Sequence, residues 1–186
     1  MRRFMGAAMA VLAAATPANA ACWSVGQAGA AQVRDLQTFL MVETLRCQAI
    51  GFDIAPDYND FVRGNRVAIG QANDRLKAFF IASQGPVQGQ GAYDRFTTSL
   101  ANSYGGGRTS RDSCTTAGSM AREAALMENS HQGLLMIAVR EGLAPRLPGG
   151  LCGGETTAQV DRQVVNSFVE RAVSVEGRGT VLSGIP

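Results

Sequence analysis

Thr38-Phe39-Leu40-Met41-Val42-Glu43-Thr44-Leu45-Arg46-Cys47 lies inside a stretch, Ala30 to Ile50, that holds neither glycine nor proline. Its middle, Phe39 to Val42, is apolar nearly all the way round a helix, and Gly51 stops it. A helix of that kind must be covered on most sides, and the rest of the chain supplies the cover. Pro56, a residue favoured in a first turn, opens a second helix with Asp57 beside it. Tyr58, Val62, Asn65, Ile69, Ala72, Leu76 and Phe79 then recur at spacings of three and four, a packed seam that ends at Gly85-Pro86. A Gly/Gln-rich connector, Gly85 to Gly91, leads to a third helix with Tyr93, Phe96, Leu100 and Tyr104 on one face, closed by Gly105-Gly106-Gly107. Thr109-Ser110-Arg111-Asp112 resembles a capping box and starts a fourth. Its seam is Ala117, Met120, Ala124, Met127, His131, Leu134 or Leu135, and Ala138, and Gly142 and Pro145 stop it.

The expected fold is therefore all-α, a disulfide-stapled four-helix bundle. Val160, Val164, Phe168, Ala172 and Val175 offer one face of a fifth, C-terminal helix. The expected division is a cleaved signal peptide at 1–20, a bundle domain at 21–152 and a C-terminal extension at 153–186, helical at first and then a loose tail. The signal reading rests on Arg2-Arg3, the apolar run from Met5 to Ala15, and small residues through Ala18-Asn19-Ala20-Ala21. That run is well short of the roughly 20 residues a membrane-spanning helix needs, and no long apolar stretch follows it. The 17 basic and 15 acidic residues become equal in number once Arg2 and Arg3 leave. A neutral chain lacks the bulk basic field that nucleic acid or anionic lipid attracts.

Four cysteines remain: Cys22, Cys47, Cys114 and Cys152. An even count in an exported chain reads as two disulfides with three possible pairings. Cys22 and Cys47 flank most of the first helix, which rises about 30 Å, whereas a disulfide tolerates a Cα separation of about 4.4–6.8 Å. Cys114 and Cys152 flank the fourth and meet the same objection. In an up-down-up-down bundle, Cys47 and Cys114 share one end and Cys22 and Cys152 the other, so Cys47–Cys114 and Cys22–Cys152 are expected. The cysteines are too widely spaced for a metal site, which favours close pairs. No C-x-x-C redox or haem-attachment motif is present, so no metal or cofactor is expected.

His131 is the single histidine and falls on an apolar seam. The usual reading is a core histidine with one or two hydrogen bonds; the functional one is a ligand or acid–base group. Seventeen residues beyond Cys114 on one continuous helix, it would lie about 25 Å down the axis. That is the level of Asp74 and Tyr93, so a polar pocket of His131, Asp74 and Tyr93 is the candidate site. Glu43 and Arg46, three apart, can pair or line a second site with Arg63 or Asn65. Gly105-Gly106-Gly107-Arg108 and Gly149-Gly150-Leu151-Cys152-Gly153-Gly154 lack the Lys-Ser/Thr of a phosphate loop and follow no predicted strand, so they read as linkers.

The opening run, taken with Asp57-Tyr58-Asn59-Asp60-Phe61-Val62, resembles a set of uncharacterised exported, helical, cysteine-bearing proteins of Gram-negative bacteria. The resemblance implies export and a helical fold and carries no activity or catalytic residues with it. The expectation is a periplasmic or secreted, non-enzymatic protein that binds a protein or another envelope component. The alternatives are an envelope hydrolase or a small-ligand carrier, with its polar pocket near His131.

Overall fold

The computed structural model describes residues 21–154 and, beyond them, 156, 158, 159, 161–163, 165, 166 and 170. The expected signal peptide and all five apolar positions of the expected C-terminal helix lie outside the described residues. Among the described residues the fold is all-α, with α1 (Val25–Ala49), α2 (Ala55–Gly64), α3 (Arg66–Gln84), α4 (Pro86–Tyr104), α5 (Arg111–Ala125), α6 (His131–Arg140) and a 3-10 turn at Cys152–Gly154.

α1 touches every other helix. This is why its apolar residues are not confined to one stripe: Val33, Leu36 and Leu40 are fully buried, as are Ala30 and Ala31. Ser24 caps it through a reciprocal pair with Gln27. The expected four helices become six because the second and the fourth each break once. The second divides at Gly64-Asn65 and the fourth between Leu126 and Ser130. A hydrophobic period alone does not register these breaks, since the buried positions keep their spacing on both sides.

The two breaks satisfy each other. Asn65 is fully buried, and its Nδ2 donates to the carbonyls of Phe61 (3.1 Å) and Ala124 (2.7 Å). Its Oδ1 accepts from the backbone N–H of Asn129 at 3.0 Å. In return, the Asn129 side chain accepts from the N–H groups of Val67 (2.8 Å) and Ala68 (3.4 Å), which open α3. One break thus supplies the N-terminal cap of the helix that follows the other. Glu128 and Asn129 hold φ at 46° and 68°, a left-handed conformation that asparagine tolerates better than most residues. Gly64 lets the strands of this clasp meet: a Cβ there would lie 3.0 Å from the Ala125 carbonyl oxygen. Asn65→Ala should cost about 3 kcal/mol, because several buried backbone groups lose their partner at once, as measured by urea unfolding.

The Gly85–Gly91 segment is not a connector. α3 and α4 are joined through Gly85 alone, and Pro86 to Gly91 form the first turns of α4. Gly89 is what permits this, since a Cβ there would sit 2.5 Å from the Phe80 carbonyl oxygen and 2.6 Å from the Ile81 Cα. Two helices this close need a residue without a side chain at the crossing.

The disulfides join Cys22 to Cys152 (Cα–Cα 4.9 Å) and Cys47 to Cys114 (5.7 Å). The second is fully buried beside Ile54, Ala117 and Phe52, whereas Cys22 and Cys152 are exposed. Next to Cys22, Trp23 is fully buried and anchors the chain entry. Its ring lies against Phe79 (4.1 Å between centroids), Phe96 (5.5 Å) and Phe80 (5.6 Å). Its indole N–H donates to the Pro148 carbonyl at 2.8 Å. Its backbone pairs with Gly150 and Cys152.

Candidate functional site

Asp35, Phe39, Glu43 and Arg46 recur at helical spacing and form one stripe of α1. The stripe grips the end of α4. Arg46 donates to the Glu43 carboxylate (2.7 Å), to the Tyr104 carbonyl (2.9 Å) and to the Thr109 hydroxyl (3.1 Å). The Glu43–Arg46 pair therefore closes the C-terminus of α4 rather than lining a ligand site. Of its suggested companions, Asn65 belongs to the clasp, and Arg63 pairs on the surface with Asp60. Phe39 meets the Tyr104 ring edge-on at 5.2 Å, and the Tyr104 hydroxyl hydrogen-bonds to the Asp35 carboxyl.

Asp35 is only 1% exposed, yet it contributes to the wall of a solvent-open cleft of about 430 Å³. The cleft is built by α1, the second half of α4 and the segment after α6, and Phe96, Leu100, Tyr104, Pro145 and Arg146 line it with Asp35. Asp35 Oδ1 has no hydrogen-bond partner. Burial raises its pKa from the ordinary 3.8 to about 6, against the opposing pull of the Tyr104 hydroxyl. Burial and the neighbouring Asp35 charge in turn push the Tyr104 phenol well above its usual range.

The elevated pKa has a stability consequence of definite sign. Between about pH 4 and pH 6 the folded chain holds a proton on Asp35 that the unfolded chain has released, so stability falls as pH rises through this window. Above it the full penalty remains, roughly 3 kcal/mol at most for a shift of about two units. The Tyr104 phenol, pushed up by burial and by Asp35, stays protonated throughout that window. Asp35→Asn, which retains an acceptor for Tyr104, should be more stable than the wild type by about 2 kcal/mol near pH 8 and about equal to it near pH 4. Urea unfolding at the two pH values checks this.

Chemically the cleft suits binding better than hydrolysis. Among the described residues it holds one carboxylate, without the second that acid–base glycoside hydrolysis uses. Its Ser99 and Ser103 hydroxyls have no histidine or lysine beside them in the lining to act as base. Among the described residues no group of three or more His, Cys, Asp or Glu side chains is arranged to hold a metal ion.

The residues expected to form the pocket have separate surroundings. His131 is the first residue of α6, not the middle of a long helix, so the 25 Å estimate from Cys114 does not apply. With Leu135 it packs over Gly29 of α1, in a shallow groove that also includes Arg75, Val25 and Gln132. Burial first, and then the Arg75 charge, hold its pKa below the usual histidine value. Asp74 is exposed on α3; its neighbour Arg75, about 100° further round that helix, is the one that faces His131. Tyr93 packs on Phe80, with ring centroids 6.4 Å apart. Among the described residues no hydrogen bond or ion pair joins Asp74 to His131.

Sequence reasoning missed Asp35. It stands in a helix covered on most sides, but no local signal separates a buried carboxyl from a solvated one at that position. No family model, curated protein or solved structure matches this chain.

Proposed function

We propose that the protein is a non-catalytic binding module of an oxidising, extracytoplasmic compartment, exported with residues 1–20 removed. The observation that carries the reading is the pair of disulfides. They tie the start of the central helix to the segment after α6 and the end of that helix to the start of α5. Disulfides form and persist outside the reducing cytoplasm, and among the described residues no helix is long and apolar enough to cross a membrane. A central helix fastened at both ends makes a rigid support for recognition of an envelope protein or component.

A second reading, a small-ligand carrier, is favoured by one specific feature: the open cleft with the unpaired Asp35 oxygen in its wall. The groove of His131, Arg75 and Gln132 is a separate place where such a carrier could hold a ligand.

The test is native mass spectrometry on protein extracted from its own envelope without reductant, followed by thiol alkylation. A chain beginning near Ala21, resistant to alkylation and holding a partner or ligand, is the expected result. Alkylation of all four cysteines without reductant would remove the compartment from the reading. Turnover of an envelope substrate that a point substitution in the cleft abolishes would remove its non-catalytic character.

A further inference from the structure

Asp35 Oδ1 is an acceptor without a donor in a residue that is 1% exposed. Leaving such an atom unpaired is unfavourable, and Asp35 belongs to the wall of a cleft that can admit a donor. Tyr104 cannot turn away to a second partner, because its ring lies on Phe39, its carbonyl on Arg46 and its hydroxyl on Asp35. The carboxyl is thus held with one oxygen buried and unpaired at the cleft wall, a requirement that an ammonium group meets with three donors and the compensating charge.

The opposite charge is on the same cleft. Arg146 lines it, is exposed, and takes part in none of the ion pairs among the described residues. Buried Pro145 fixes the backbone beside it, and the Leu143 N–H, bonded to the Ala138 carbonyl, ties the same segment to α6. Phe96, Leu100 and Pro145 add apolar surface to the same cleft. A volume of about 430 Å³ falls in the range of small-molecule pockets.

We propose that this cleft binds a small zwitterion of the amino-acid or dipeptide class, its ammonium group on the Asp35 carboxylate and its carboxylate on the Arg146 guanidinium. The assignment rests on the reading of the protein as a non-catalytic binding module. It gives the buried carboxylate a purpose: the ligand's ammonium group supplies the partner that the fold does not.

The experiment is a thermal-shift screen of the oxidised protein against the common amino acids and dialanine at millimolar concentration, with putrescine and acetate as single-charge controls. Hits are titrated calorimetrically into wild type, Asp35→Asn and Arg146→Ala, with circular dichroism confirming that both variants are folded. At least one zwitterion should stabilise the wild type and bind Asp35→Asn at least about tenfold more weakly, and Arg146→Ala about tenfold more weakly. Neither control should bind comparably. No binding by any zwitterion, binding that Asp35→Asn leaves intact, or putrescine binding as well as the best zwitterion would each overturn the assignment. Chemical conversion of a bound compound would instead overturn the non-catalytic reading. An envelope partner retained by a chain that binds no zwitterion would leave that reading standing and remove this one.

Discussion

Trp23→Ala is expected to lower stability by about 4 kcal/mol, within the range for removing a large aromatic side chain from a core. For a chain of this size that corresponds to a fall of roughly 10 °C in Tm. The ring contacts with Phe79, Phe80 and Phe96 are lost together. The Pro148 carbonyl loses its indole donor as well. Trp23→Phe separates the two effects, since it keeps an aromatic ring and removes only the donor; it should cost about 1–2 kcal/mol. Urea unfolding followed by circular dichroism measures both variants. Equal losses in the two would mean that the hydrogen bond, not the aromatic cluster, anchors the chain entry.

The disulfides come second. Removing either pair, as Cys22→Ser with Cys152→Ser or Cys47→Ser with Cys114→Ser, should cost roughly 4 kcal/mol in the loop-entropy account. The two bridges span sequence separations of 130 and 67. The shorter loop is nested in the longer, so each bridge shortens the loop the other closes. The double removal is therefore not the simple sum. Their order of reduction should differ: exposed Cys22–Cys152 is open to an attacking thiolate, while Cys47–Cys114 is sealed under Phe52 and Ile54. Timed alkylation under mild reductant should therefore label Cys22 and Cys152 first. Simultaneous labelling of all four would show that the exposed bridge too is reached only through global unfolding.

The candidate site was less legible in the sequence than the fold. A buried Asp and an exposed Asp are the same letter, and α1 carries Asp35 one turn before Phe39 with nothing local to separate the cases. Its burial follows from the packing of the end of α4 on that face, where the Tyr104 ring meets Phe39. His131 has Arg75 and Gln132 beside it, in place of the expected Asp74 and Tyr93, for a different reason. Its placement assumed one straight helix from Cys114, and the turn at Glu128-Asn129 resets the direction of everything beyond it. A shift of one residue on α3 then exchanges Asp74 for Arg75 and reverses the charge that faces the histidine.

By itself the sequence determined that the chain is helical and which residues seed its core. Both follow from local spacing and from where Gly and Pro stand. It also contained the material for each break: Gly64-Asn65, and Asn129-Ser130 with its capping serine. Only the tertiary structure decided that these residues break the helices. Asn65 leaves the helical path because its side chain finds the Ala124 carbonyl and the Asn129 N–H across a distance of some sixty residues. A hydrogen bond to a distant backbone group has no signature in local periodicity, and neither has a carboxyl buried by a neighbour's close approach. Those two non-local facts set the number of helices and the position of the cleft.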